Sequence, residues 1–311
     1  MIKTIISEGL PVDENLLIRK NIIRGKSGKK RLCIVTGTHG DELEGQYVCF
    51  ELARQLEKNR DLLHGIVEIY PALNPLGVDS VQRGFPTFDL DMNRIFPGDQ
   101  NGHLIETIAS SIIQDLEGAD MVIDIHSSNI FLREMPQVRV NIESADTLVP
   151  YAKLLNTDFI WVHDAATVLQ ATLAHSLNTL NTKTLVVEMG VGMRITREYG
   201  DRLVEGIFNL MTHLGMWQGA VAPDITTPTL STDGEVCFMN ADASGIIIPS
   251  ISHSVTVKKG DLLCQIVDPL RGKVLQNVLS PVDGVVFTLR SYPVVYEGSL
   301  IARIFSEKQR Q

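Results

Sequence analysis

Closely spaced cysteines are missing from this chain. Its four, Cys33, Cys49, Cys237 and Cys264, make no CxxC pair, which argues against a disulfide framework and a cysteine-based zinc knuckle. Three of them lie in apolar runs, where a free thiol acts as a small hydrophobe, and that usage implies a reducing compartment. Basic blocks are missing too: 28 Lys+Arg stand against 37 Asp+Glu, a formal charge of −9, and no cluster is long enough to track a phosphate backbone. Nucleic acid is therefore not the expected partner; a small molecule is. No apolar run approaches the roughly 18 residues needed to cross a bilayer, and Met1-Ile-Lys-Thr-Ile-Ile-Ser-Glu-Gly9 has neither a basic start with an apolar core nor a small-residue cleavage site. The expectation is a soluble, cytoplasmic protein with no membrane partner.

What is present is enough apolar material for a large core. With 311 residues and 44% hydrophobic content, two domains are expected, because single cores stop growing at roughly 250–300 residues. Leu16 to Ile23 and Leu32 to Val35 read as strands separated by the polar turn Gly25-Lys-Ser-Gly-Lys-Lys30, which predicts a hairpin leading into a buried strand. The run Leu43 to Leu56 places Val48, Leu52 and Leu56 on one helical face. Ile66 to Ala72, Met121 to Ile125, Val138 to Val140 and Thr184 to Met189 read as strands. His103 to Leu116, Asp146 to Leu155 (with Asp146 as N-cap) and Arg197 to Leu214 read as helices. Gly77 to Gly102 has no period, yet it holds Phe85, Phe88, Leu90, Ile95 and Phe96, so an ordered functional loop is expected.

Strands alternating with helices predict an α/β domain with a mostly parallel or mixed sheet over residues 1–220. At Gln218-Gly-Ala-Val-Ala-Pro-Asp-Ile-Thr-Thr-Pro228 the composition shifts, and no helical period returns. Residues 221–311 therefore predict a small all-β domain, barrel-like or sandwich-like. Lys259-Gly-Asp-Leu-Leu-Cys-Gln-Ile266 followed by Ser280-Pro-Val-Asp-Gly-Val-Val286 resembles the lipoyl/biotinyl-type barrel, without the lysine that a carrier domain presents at its hairpin tip.

Chemistry concentrates where predicted strands end. Ile34-Val-Thr-Gly-Thr-His-Gly-Asp-Glu42 sets His39 and Glu42 three residues apart at a strand-to-helix junction. The pair reads either as two metal ligands from one turn, with Gly40 easing the bend, or as a helix start with Glu42 near the positive end of its dipole. His126 arrives at a similar strand end and is the best third ligand, the alternative being a simple hydrogen-bonding role. Glu188, also at a strand end, suits a base acting on a metal-bound water.

His39-Gly-Asp-Glu42, Asp91-Met-Asn-Arg94, Asp124-Ile-His126 and Glu188-Met-Gly190, in this order, resemble the succinylglutamate desuccinylase/aspartoacylase family, a branch of the zinc carboxypeptidase superfamily. The resemblance covers the first domain, and the small β domain also fits. It implies a zinc-carboxypeptidase-like mixed sheet flanked by helices. It further implies one zinc per chain held by His39, Glu42 and His126, with Glu188 as general base and Asp91 on the other nitrogen of His39. Asn93 and Arg94 would grip a substrate carboxylate, and Arg83 would donate to the developing oxyanion, although its spacing to Asn93 is longer than in aspartoacylase. After Glu188 the chain departs from the family's further glycines with Met-Gly-Val-Gly-Met-Arg194, where Arg194 either approaches the pocket or begins the next helix. Tyr292 or Tyr296 either reaches the substrate, as a tyrosine of the C-terminal domain does in aspartoacylase, or packs. His163 and His175 read as structural or pocket-rim residues. The implied activity is a zinc-dependent N-acyl amino acid deacylase, with a homodimer admissible; a peptide carboxypeptidase and a non-catalytic small-molecule binder are the alternatives.

Overall fold

The strands that alternate least in sequence are the ones buried on both faces, as a parallel sheet covered by helices requires. The computed structural model describes residues 1–164, 170–232 and 235–306. At its centre, β3 (Ser27–Thr36), β4 (His64–Tyr70), β5 (Met121–His126) and β8 (Thr184–Gly190) lie in the order β4-β3-β5-β8, all parallel. Antiparallel strands flank them: β1 (Ile2–Leu10) and β2 (Glu14–Arg24) beyond β4, and β6 (Leu132–Asn141) beyond β8. A further strand, β7 (Phe159–His163), runs parallel to β6.

Helices cover both faces, and the alternation along β3 sorts the two cores. Ile34 packs with Ile123 and Val187 beneath α1 (Glu44–Lys58) and α6 (Arg197–His213), through Val48, Leu52, Leu56, Leu203 and Ile207. Cys33 and Val35 face the other way, against Ile105, Ile108 and Ile112 of α3 (Leu104–Leu116) and Leu173 and Leu177 of α5 (Leu173–Thr179). Each such buried aliphatic side chain contributes about 1.5–3 kcal/mol. All four cysteines are free thiols.

Two local expectations are corrected. β2 and β3 form no hairpin: β4 lies between them, antiparallel to β2 and parallel to β3. The N-terminal strand β1 takes the hairpin place beside β2 instead. The helix α4 (Ala145–Ala152) has Ser144, not Asp146, at its N-cap position, and Asp146 lies in its first turn. The loop from Gly77 to Gly102 is ordered: α2 (Pro75–Ser80) runs into it, and Phe85, Met92 and Phe96 are buried.

Past residue 228 the described residues are all strand and turn, distributed over two sheets. β9 (Thr229–Thr232) adds to β7. β10 (Val236–Asn240), β15 (Gly284–Arg290) and β17 (Leu300–Phe305) continue the large mixed sheet, because β15 pairs with β6 through Thr288 opposite Glu134; β12 (Thr256–Val257) pairs with β15. A second, antiparallel sheet holds β11 (Gly245–Pro249), β13 (Leu262–Asp268), β14 (Lys273–Leu279) and β16 (Val294–Val295) in the order β14-β13-β11-β16. Among the described residues no helix is long and apolar enough to cross a membrane.

Candidate metal centre

The parallel strands end at one edge, and the loops that follow bring three donors together. β3 runs through Gly37, with φ at +66°, into the turn that carries His39 and Glu42. Gly40 in that turn lies against Gly77: a Cβ there would stand 1.9 Å from the Gly77 carbonyl carbon. What glycine supplies at position 40 is thus close backbone approach, not the bend expected from sequence. His126 closes β5 and Glu188 lies opposite it in register on β8.

His39, Glu42 and His126 are all buried, and one ligand atom from each lies within 4.8 Å of the other two. His39 Nδ1 is 2.8 Å from Glu42 Oε1, and His126 Nδ1 is 2.9 Å from Glu42 Oε2. Despite that approach, the buried Nδ1 of His39 makes no aligned hydrogen bond, as fits an atom shared toward an ion rather than given to one partner. Two imidazoles and a carboxylate are the donor set of a catalytic zinc site that keeps a position for water, and the residues fit that ion.

Carboxylates hold the far sides of both rings. Asp91 Oδ1 is 2.9 Å from His39 Nε2, and Asp124 Oδ2 is 3.1 Å from His126 Nε2. A ligand whose other nitrogen is fixed this way has its tautomer and its aim set. Asp124 was not singled out by sequence as a separate participant, although its spacing of two from His126 on a strand puts both on one face. Arg83 joins the two acidic partners of His39, at 2.8 Å from Glu42 and 3.4 Å from Asp91.

Charge compensation explains how so many ionisable groups share a buried site. Burial opposes the charge on Glu42, but His39 and His126 outweigh it and hold the carboxyl far below its usual range. Burial likewise works against Asp91, and His39 and Arg83 overcome it. Burial would lower both imidazoles; Glu42 and Asp91 raise His39, and Asp124 and Glu42 raise His126.

Glu188 differs. Burial pushes its carboxyl up, with Arg139 only partly offsetting that effect. Arg139 Nη1 sits 3.1 Å from Glu188, and its Nη2 sits 3.2 Å from Glu134. Glu134 also accepts from Arg303 at 2.9 Å, from Gln137 at 2.9 Å, and from the Thr288 hydroxyl. β15 and β17 are thereby tied to the neighbourhood of Glu188. Sequence reasoning missed Arg139, Glu134 and Arg303; the only local signal was an arginine inside the predicted strand Val138 to Val140.

These groups line a cavity of about 490 Å³ that also takes in Asn93, Arg94, His163 and His175. Asn93 is buried, and its Oδ1 accepts from Leu173 N at 2.9 Å. Arg94 is exposed, enters no ion pair among the described residues, and donates to the Asn93 carbonyl at 2.7 Å. Arg194 does not line the cavity; it is exposed, ahead of α6, and bonds to the Met193 carbonyl. Tyr292 and Tyr296 are 43% and 72% exposed and lie outside the cavity lining, Tyr292 packing edge-on against Phe131.

Known proteins share this arrangement of chain. A model of the succinylglutamate desuccinylase/aspartoacylase catalytic domain matches residues 28–214. An N-alpha-acetyl-L-2,4-diaminobutyric acid deacetylase of Halomonas elongata is 26% identical over 296 residues, which cover 90% of this chain and 83% of that protein. The product-bound structure of the ectoine utilization protein EutE (DoeB) from Ruegeria pomeroyi has a TM-score of 0.83 at 22% identity, covering 97% of this chain and 93% of its own. A succinylglutamate desuccinylase structure from Silicibacter sp. TM1040 has a TM-score of 0.84 at 22% identity, covering 97% and 92%. At these identities the solved structures establish the fold.

Proposed function

We propose that this chain, which belongs to the succinylglutamate desuccinylase/aspartoacylase family, is a zinc-dependent amidohydrolase that removes the acyl group from a small N-acyl amino acid. The observation that carries the reading is the convergence of His39, Glu42 and His126 on one point, with Glu188 opposite His126 in register. Its curated relative, a deacetylase of an N-acetylated amino acid, supports the substrate class.

Held by His39, Glu42 and His126, a zinc ion would supply Lewis acidity toward a carbonyl and lower the pKa of a water. Glu188, raised by burial, is suited to accept a proton from the attacking water and to hand it to the departing amine nitrogen. The new carbon–oxygen bond forms as the carbon–nitrogen bond breaks, and the carboxyl ends as it began. Arg83, held by Glu42 and Asp91, would donate one of its remaining N–H groups to the oxygen that gains charge. Arg94, in no ion pair among the described residues although its Nη1 bonds the Asn93 carbonyl, would offer its remaining N–H groups to the substrate carboxylate. Asn93, anchored through its oxygen to Leu173, would keep its amide N–H groups for the same ligand.

The test is a panel of N-acetyl, N-succinyl and N-formyl amino acids, assayed after chelation and after zinc is restored. Hydrolysis that disappears with the metal and returns with it supports the reading. A protein that takes up no stoichiometric zinc, or cleaves none of the panel, contradicts it.

A further inference from the structure

The arginines of the cavity are almost all spoken for. Four guanidiniums and five carboxylates line it: Arg83, Arg94, Arg139 and Arg303 against Glu42, Asp124, Glu134, Glu143 and Glu188. Arg83 is paired with Glu42 and Asp91, Arg139 with Glu134 and Glu188, and Arg303 with Glu134. Arg94 alone among them is in no ion pair among the described residues. Asp91, paired with Arg83 and His39, brings the carboxylates of the site to six, so with the imidazoles neutral a divalent ion at His39, Glu42 and His126 would balance the fixed charge, and Arg94 is the guanidinium left for a single substrate carboxylate.

The cavity then continues away from Glu188 along the face of the sheet. Gln137 is the register partner of Glu188, Arg139 that of Val186, and Asn141 that of His163. At about 3.3 Å per residue, Asn141 lies about 13 Å along β6 from the level of Glu188. This end is lined by Asn141, Glu143, His163, Asn178 and Thr179 together with a few apolar groups. No arginine or lysine lines it among the described residues. Its one carboxylate, Glu143, is in no ion pair among the described residues. The amide of Asn178 is consumed by the backbone of Thr184, at 3.1 and 2.8 Å.

We infer that the substrate carries one carboxylate only, held at Arg94, and that the group reaching past Arg139 toward Glu143 is polar and uncharged or cationic. The inference rests on the hydrolase reading for the position of the scissile amide. A second carboxylate, on the side chain or on the acyl group, would gain no cation at this end and would meet Glu143 as a like charge. The pocket so read discriminates against acyl amino acids of the dicarboxylic kind.

The experiment compares four ligands on the zinc-loaded protein: N-acetylglutamine, its isostere N-acetylglutamate, Nα-acetyllysine and N-succinylglutamine. Turnover is read as kcat/KM, and affinity by calorimetry on zinc-loaded Glu188→Gln protein. The expected order places N-acetylglutamine and Nα-acetyllysine above the two ligands that carry a second carboxylate by roughly tenfold, the scale of a like-charge contact with Glu143. Equal or better use of N-acetylglutamate overturns the inference, as does the absence of measurable binding by all four. Absence of turnover with the expected binding order would remove the hydrolase reading while upholding the charge inference. Glu143→Lys, an exposed position, should narrow the glutamine-to-glutamate ratio about tenfold; an unchanged ratio overturns the role given to Glu143.

Discussion

Asp91 and His39 meet at 2.9 Å through Oδ1 and Nε2, and this contact turns the other ring nitrogen, Nδ1, toward Glu42 and His126. A hydrogen bond on the far side of a ligand ring fixes the tautomer and raises the basicity of the nitrogen that binds. Asp124 does the same for His126 at 3.1 Å.

Replacing Asp91 with Asn should therefore weaken zinc binding by about 10–100-fold while leaving the fold intact. Competition against a chromophoric chelator measures this, with circular dichroism as the control. Unchanged zinc affinity would remove Asp91 from the metal centre.

Arg139 forms an ion pair with Glu188 at 3.1 Å. In Arg139→Gln, Glu188 loses its anchor, and kcat should fall by about 100-fold, as expected when a reacting group is displaced by about an ångström. Zinc stoichiometry should stay the same, and Arg139→Lys should recover part of the loss. A fall confined to KM would reassign Arg139 to substrate binding.

Gly40→Ala places a methyl 1.9 Å from the carbonyl carbon of Gly77. The backbone has to move, which costs about 1–3 kcal/mol and shifts the turn that carries His39 and Glu42. Thermal melts of the metal-free protein should show the loss, and zinc affinity should fall with it. A variant equal to the parent in both would show that the turn tolerates the shift.

Away from the site, Lys20 is buried between Glu68 at 2.8 Å and Asp115 at 2.7 Å. Burial works against Glu68, but Lys20 and the Tyr70 hydroxyl outweigh it and lower its pKa from the ordinary 4.5. A carboxyl lowered in the folded state contributes stability that is fully present above its unfolded pKa and is lost as pH falls through the folded value. Below about pH 4.5 the parent should lose stability faster than Glu68→Gln does, and at pH 7 the variant should be less stable by on the order of 2–3 kcal/mol. Parallel denaturation curves against pH would contradict this.

The sequence was legible where chemistry and local structure coincide. His39, Glu42 and His126 follow predicted strands directly, so strand ends alone bring them near one another, and Asp91 follows from the motif it heads. Arg139, Glu134 and Arg303 were not legible, because their meeting depends on β6 pairing with β15, a contact between distant parts of the chain with no local signature. The misplaced hairpin has the same origin. β2 and β3 are adjacent in sequence, but the crossover through α1 delivers β4 between them, and the short polar turn at Gly25 does not reveal that. The four longest helices, α1, α3, α4 and α6, were read nearly to their ends because the apolar period that marks them is also what packs them, whereas α2 and α5, of six and seven residues, are too short to show that period and were not read.

The central claim is that a metal held by His39, Glu42 and His126 works with Glu188 as the proton carrier. Its most direct test is zinc content and N-acyl amino acid hydrolysis measured side by side on the parent and on Glu188→Gln. The account predicts one zinc per chain in both proteins, with hydrolysis reduced in the variant by about 10²–10⁴-fold. Near-parental hydrolysis by the variant, or a parent protein that binds no zinc, would contradict it.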